Sequence, residues 1–203
     1  SKLSPYIIES SKKLLTMMGI PYIEAYGEGE AQAAYLVENG DAWAVASQDY
    51  DCLLFGAKRV VRNLAINSNL GDLEYYNLKR VLDELGINRK QLIDMGILIG
   101  TDFSEGLKGV GAKTALKLAK KGELENKLAK LQEESSHDIS EVREIFLNHN
   151  VNTDYKIRWK KPAKNDIIDF LCEEHGFSQD RVSKACDKLK NLNSSQKSLE
   201  DWF

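Results

Sequence analysis

Four carboxylates stand in two pairs, each spaced one residue apart: Glu28 and Glu30 in "YGEGEAQ", Asp49 and Asp51 in "SQDYDCLLFG". Like charges at that spacing raise one another's pKa, and one of them takes a proton unless a cation shares the site. An all-oxygen donor set favours a hard divalent ion, Mg²⁺ or Mn²⁺, which keeps several waters and pairs with substrate phosphates. Two such ions a few Å apart activate water and stabilise the leaving oxygen in phosphodiester hydrolysis. Taken singly, each pair has an ordinary explanation. Acids at a helix start complement its dipole, and Asp-x-Asp is a common turn. Both pairs on adjacent turns of one sheet are harder to explain that way. A further acid, Asp102 in "LIGTDFSEG", follows an apolar helical run.

The elements around these acids read as α/β. Ser4-Pro5 is an N-cap and first helical residue, and Ile7, Ile8, Leu14, Leu15 and Met18 recur at helical spacing up to Gly19. "IPYIEA" and "DAWAVAS" are short apolar runs flanking a helix from about Glu28 to Glu38, the β-α-β rhythm of a parallel sheet. Asp49 and Asp51 would then lie at a strand's carboxyl end, pointing one way if strand alternation persists. That rim is where ligands bind in open parallel sheets, and Glu28 and Glu30 would share it. "KRVVRNL" is a third strand candidate, and residues 77–99 read as two helices broken at Gly86-Ile87. From Gly106 onward no strand is expected, with helices at about 112–121, 139–148, 165–175 and 178–192.

Gly106, Gly109 and Gly111 punctuate "GLKGVGAKTALKLAKKG", where Lys108, Lys113, Lys117, Lys120 and Lys121 stand with no acid among them. Glycines permit positive φ and close backbone approach. Free N–H groups at a helix start, with lysines around them, cradle phosphates without regard to base sequence. The form is a helix-hairpin-helix, with "QLIDMGILIG" leading in and "AKTALKLAKK" leading out. The spacing excludes a Walker A loop and a dinucleotide fingerprint.

Composition narrows the remaining classes. The 203 residues are 42% hydrophobic, enough to bury a full core, and the net charge of −3 hides the separation of acidic and basic stretches. Three cysteines, Cys52, Cys172 and Cys186, without a CxxC pair, indicate neither a disulfide framework nor a zinc site. No apolar run reaches the roughly 20 residues a membrane span needs. A soluble chain is expected, cytoplasmic or nucleoid-associated if archaeal and nuclear if eukaryotic. His137, His149 and His175 offer no catalytic pairing. The polar "NLNSSQKS" reads as a linker to a tail with Leu199, Trp202 and Phe203, a hydrophobic plug on a flexible tether that suits partner docking.

Together "GEGEAQAAYL", "SQDYDCLLFGAKRVVRNL", "GILIGTDFSEGLKGVGAKTALKL" and the terminal "QKSLEDWF" resemble the flap endonucleases, structure-specific 5′ nucleases of DNA replication and repair, in their archaeal form. The resemblance spans nearly the whole chain, with four motifs in the family's order. It implies that Glu28, Glu30, Asp49, Asp51 and Asp102 are metal-binding catalytic carboxylates for two Mg²⁺ ions, with Mn²⁺ able to substitute. It implies that Gly106, Lys108, Gly109, Gly111, Lys113 and Lys117 grip flap or nicked duplex DNA, with K⁺ held by backbone oxygens of the hairpin. Gln196, Leu199, Trp202 and Phe203 match the anchors of a sliding-clamp (PCNA) peptide. On that basis residues 1–105 are the second part of a PIN-like α/β nuclease core, 106–192 a helical duplex-binding region, and 193–203 a flexible clamp-binding tail.

Two departures accompany the resemblance. Tyr26-Gly27 stands where the family usually has Pro-Ser, and the family's N-terminal portion, with a strand, further aspartates and a helical arch, is absent. Two readings therefore stand. One is a Mg²⁺-dependent 5′ flap endonuclease with 5′-3′ exonuclease activity, here as a piece or as one of two chains. The other is a non-catalytic module that grips DNA and docks a clamp.

Overall fold

The computed structural model describes residues 4–64 and 71–192. Two compact units share the chain. One contains the described residues of Ser1–Glu24 and Thr153–Phe203, and the other is Ala25–Asn152. This partition differs from the division at 105/106, which followed the change from strands to helices along the chain, not packing. All five carboxylates and the glycine hairpin belong to the unit Ala25–Asn152.

In that unit, helix α2 (Gly29–Glu38) buries Ala31, Gln32, Ala34 and Val37 on one face. Gln32 is a buried polar group satisfied from both ends of its amide: Nε2 donates to the Asn152 carbonyl and Oε1 accepts from the Asn152 amide. Strand β1 (Val45–Ala46) runs parallel to β2 (Arg59–Arg62), and β3 (Glu74–Asn77) pairs antiparallel on the other side of β2. The short helix α3 (Asp51–Leu54) makes the crossover between the parallel strands and drives Cys52, Leu53 and Leu54 into the core.

Helices α4 (Leu78–Leu85) and α5 (Arg89–Ile99) follow, broken at Gly86 in a left-handed conformation. Asn88 starts α5 through a full capping box with Gln91. Beyond the hairpin come α6 (Ala112–Lys121), α7 (Leu124–Glu134) and α8 (Ile139–Leu147). Phe146 of α8, fully buried, packs against Phe55 and Phe103, with ring centroids 4.9 and 5.6 Å away. This contact closes the core over the helix that leads into the hairpin.

In the other unit, α1 (Pro5–Met18) has Ser4 as N-cap and Gly19 as its left-handed C-cap, as the sequence anticipates. Gly19 is required there, because a Cβ would lie 2.0 Å from the Lys160 carbonyl oxygen. Helix α9 (Lys164–Ile168) continues into a π-turn at Asp169–Glu174, and α10 (Gln179–Leu192) ends the described chain. Ile167, Val182 and Cys186 form this unit's core. Among the described residues no helix is long and apolar enough to cross a membrane.

Three expectations change. "IPYIEA" forms no strand, consistent with a proline in the run that has no N–H to donate. The parallel pair is therefore β1 and β2, joined through α3, and not a pair around α2. Finally, β3 and α7 escaped the sequence reading: β3 has only four residues, and α7 lies in a segment whose charge masked Leu124, Leu128 and Leu131, all buried.

Candidate metal and nucleic-acid site

Strand β1 ends at Ala46, so pleat alternation does not carry to the aspartates. A turn brings them together instead. The Asp49 amide donates to Ser47 Oγ at 3.1 Å, and the Asp51 amide donates to Asp49 Oδ1 at 2.9 Å. The Ser47 amide ties the start of this turn to the Val61 carbonyl of β2. Asp51 is the first residue of α3, where the helix dipole favours an acid.

Glu28 is the N-cap residue of α2, but its side chain makes no capping hydrogen bond. Glu30 sits in the first turn of the same helix. Asp102 follows Gly100, the C-cap of α5, in a tight turn closed by bonding between Thr101 and Ser104. Three separate helix-end segments thus deliver the five acids.

Electrostatics ties them to one place. Burial, followed by the charges of Asp49, Asp102, Glu30 and Glu28, pushes the Asp51 carboxyl up to about 6. Each of the other four acids therefore disfavours a negative charge on Asp51, which is the situation a divalent cation relieves. Burial pushes the neighbouring Cys52 thiol up to about 11, so the fully buried sulfur stays neutral and the donor set is all oxygen. The four acids act on Asp51 without the five closing on a point. Among the described residues no three His, Cys, Asp or Glu side chains form a group that could hold a metal ion. By donor chemistry and crowding the set fits Mg²⁺ or Mn²⁺; the side chains as placed do not converge on one.

The rim also contains groups the sequence reading passed over. Arg62, within a run read only as strand, reaches the Gln48 carbonyl, Tyr50 and Glu74. A cleft of about 560 Å³ opens beside Glu28, floored by Ala31, Phe55 and Phe103 and walled by Glu144 and His149 of the α8 region. Their types carry no motif, and only the fold assembles them.

The hairpin forms as expected, with different demands on its glycines. α5 packs against α6 across the turn. The Leu107 amide donates to Leu98, and Ser104 Oγ, itself donating to the Ile97 carbonyl, accepts from the Gly106 amide. Gly106 and Gly109 have φ of 72° and 85°. A Cβ on Gly106 would lie 2.6 Å from the Ile99 carbonyl oxygen, so this glycine permits the close approach of the two helix ends. Gly111 needs no glycine conformation: its φ is −105° and a Cβ there meets nothing, and it stands as the N-cap of α6. No side chain caps that helix start. Lys108, Lys113 and Lys117 are exposed around it, while Ala115, Leu118 and Ala119 anchor the buried face. Gln196, Leu199, Trp202 and Phe203 lie outside the described residues.

Residues 19–102, which include all five carboxylates, match the family model of the XPG I-region. Over its 203 residues the chain is 98% identical to flap endonuclease 1 of Methanobrevibacter smithii. Over its whole length the chain is thus similar to the flap endonucleases, a family of nucleases by name. It spans 62% of the length of the Methanobrevibacter smithii protein. Among solved structures, flap endonuclease-1 from Methanococcus jannaschii superposes with a TM-score of 0.86 at 43% identity, over 96% of this chain and 60% of that one. Human GEN1 in complex with Holliday junction DNA aligns with a TM-score of 0.75 at 27% identity, over 91% of this chain and 52% of the other. The mixed α/β architecture is that of the family's nuclease core.

Proposed function

We propose that the chain is the carboxylate- and hairpin-bearing part of a structure-specific 5′ flap endonuclease, with 5′-3′ exonuclease activity, that hydrolyses DNA phosphodiesters in replication and repair. The observation that carries this reading is that three helix-end segments bring the charges of Asp49, Asp102, Glu30 and Glu28 to bear on the half-buried Asp51, an arrangement that suits cations that meet phosphate. Glu28, Glu30, Asp49, Asp51 and Asp102 would hold Mg²⁺, with Mn²⁺ able to replace it. When bound, such ions supply an activated water and charge stabilisation at the leaving oxygen. The chain's own part is to present carboxylate oxygens from three helix ends and to keep sulfur out of the set.

The hairpin at 106–117, with Lys108, Gly109, Gly111, Lys113 and Lys117 exposed, would hold duplex phosphates through backbone N–H groups and lysines, which gives affinity without base readout. The resemblance to flap endonucleases adds a monovalent cation, K⁺, at the hairpin backbone and a sliding clamp as partner of the tail residues Gln196, Leu199, Trp202 and Phe203. This assignment of roles keeps 1–105 as core, 106–192 as duplex-binding region and 193–203 as docking tail. The second reading, a DNA-gripping module without cleavage of its own, is favoured by one observation: among the described residues the acids do not converge into a metal-holding group.

Cleavage of an end-labelled 5′-flap duplex by the 203-residue chain in Mg²⁺, with Asp51→Ala as control, separates the readings. Cutting at the flap junction that the control lacks supports the nuclease. Duplex binding without cutting by either protein supports the module.

A further inference from the structure

The turn that carries Asp49 is pinned at both ends: Ser47 is bonded to β2, and α3 is buried through Cys52, Leu53 and Leu54. Between them Gln48, Asp49 and Tyr50 are exposed. The internal bonds of Ser47, Asp49 and Asp51 fix the shape of this turn, but none of them attaches its exposed middle to the sheet.

Arg62, the last residue of β2, does. Its Nε donates to the Gln48 carbonyl at 3.1 Å, just before Asp49. Its guanidinium lies 3.9 Å from the ring centre of Tyr50, just after Asp49, and Nη1 also donates to the Tyr50 hydroxyl. The arginine is held in turn. Nη1 bonds Glu74 Oε2 at 2.7 Å, and Glu74 faces Arg62 across the β2–β3 ladder. Tyr76 closes the ring, donating to the same Glu74 oxygen at 3.0 Å while its hydroxyl lies 3.3 Å from that of Tyr50. Tyr50 and Glu74 together push the Tyr76 hydroxyl up to about 12, so it remains a donor.

We infer that Arg62 is the positioning residue of the carboxylate site: it holds the Asp49 turn to the sheet by gripping Gln48 and Tyr50 on either side of that acid. This rests on the reading of Asp49 and Asp51 as metal donors. Only a planar guanidinium can satisfy the arrangement, since one flat group must lie on a ring while its edge bonds a carbonyl and a carboxylate. A lysine keeps the charge and can keep the Glu74 pair, but it cannot also hold the turn. Partners that orient a ligating residue typically contribute about 10–100-fold to metal affinity.

The test compares the wild-type chain with Arg62→Lys and Arg62→Ala. Amide hydrogen exchange is read by NMR, and Mn²⁺ affinity by electron paramagnetic resonance. In Arg62→Lys the Asp49 and Asp51 amides are expected to exchange at least about tenfold faster while Val60 in the ladder keeps its protection, and Mn²⁺ binding is expected to weaken by about 10–100-fold. Arg62→Ala should do the same, with some loss of ladder protection through Glu74. Wild-type exchange at Asp49 and Asp51 in Arg62→Lys would overturn the inference, as would unchanged Mn²⁺ affinity. If the wild-type chain itself binds no Mn²⁺, the metal reading falls, and the amide exchange alone decides whether Arg62 positions the turn.

Discussion

The backbone amide of Asp51 donates to Oδ1 of Asp49 at 2.9 Å, so the two acids are joined by a turn whose hydrogen bond uses one carboxylate to place the other. Burial and four neighbouring charges push the Asp51 carboxyl up to about 6. Its folded pKa therefore lies above the unfolded value, and the native state binds more protons between about pH 4 and 6. Stability consequently falls as pH rises through that window. Asp51→Asn should raise the thermal midpoint at pH 7.5 by about 2–4 °C, corresponding to about 1 kcal/mol after discounting for the half-exposed position. At pH 4 the difference should vanish. Adding Mg²⁺ at pH 7.5 should stabilise the wild type more than the variant, and melts at both pH values with and without the ion check all three statements.

Much of this was legible in the sequence because the informative residues are punctuation. Ser4-Pro5, Gly19 and Gly86 mark helix ends by local chemistry that no tertiary contact needs to supply. The acids were legible by a different signal, the one-residue spacing of Glu28 with Glu30 and of Asp49 with Asp51. Strand alternation offered one cause for Asp49 and Asp51 to share a side, whereas the structure joins them by a hydrogen-bonded turn, since a strand of two residues cannot set side-chain direction beyond itself. Arg62 was illegible as a site residue, because its role depends on Gln48 and Tyr50, 14 and 12 positions earlier in the chain. The same holds for α7, whose three buried leucines gain meaning only once α5 and α8 pack beside them.

The hairpin glycines should separate sharply. Gly106→Ala places a Cβ 2.6 Å from the Ile99 carbonyl at a φ of 72°, so it meets both a backbone clash and a left-handed penalty of about 1–2 kcal/mol. A total loss of at least about 2 kcal/mol is expected, with weaker duplex binding as the hairpin opens. Gly111→Ala, at φ −105° with open space, should change stability by less than about 0.5 kcal/mol. Urea unfolding of the two variants gives the comparison directly, and equal losses would mean that the close approach of Gly106 to Ile99 does not hold the turn.

Asp94 is buried in α5 and receives Nε of Arg143 from α8 at 2.7 Å; Arg143 also reaches the exposed Glu125. Burial raises the Asp94 carboxyl, and Arg143 opposes the rise. The pair should therefore be asymmetric. Arg143→Met leaves an uncompensated buried acid and should cost about 3 kcal/mol at pH 7.5. Asp94→Asn leaves Arg143 with Glu125 as partner and should cost about 1 kcal/mol. The sign of the pH effect follows from the lost partner: in Arg143→Met the Asp94 pKa rises further, so the deficit should shrink as pH falls and the acid protonates. Denaturant midpoints across pH 5 to 7.5 would show a converging pair of curves, and parallel curves would count against a buried charge at Asp94.

Lys113 and Lys117 stand one helical turn apart on the exposed face of α6, with Lys108 in the turn before it. If that face tracks the phosphate backbone, each lysine releases about one counterion on binding, and the double replacement by alanine should reduce the slope of log K against log salt by about 1.8. Ala115, Leu118 and Ala119, which anchor the opposite face, are untouched, so the thermal midpoint should stay close to wild type. Affinity should fall alike for duplexes of unrelated sequence, because phosphate contacts carry no base information. Fluorescence anisotropy with two duplex sequences over a salt series measures slope and sequence dependence together. An unchanged slope would remove the α6 face from the DNA path and leave Gly106–Gly111 as a structural turn only.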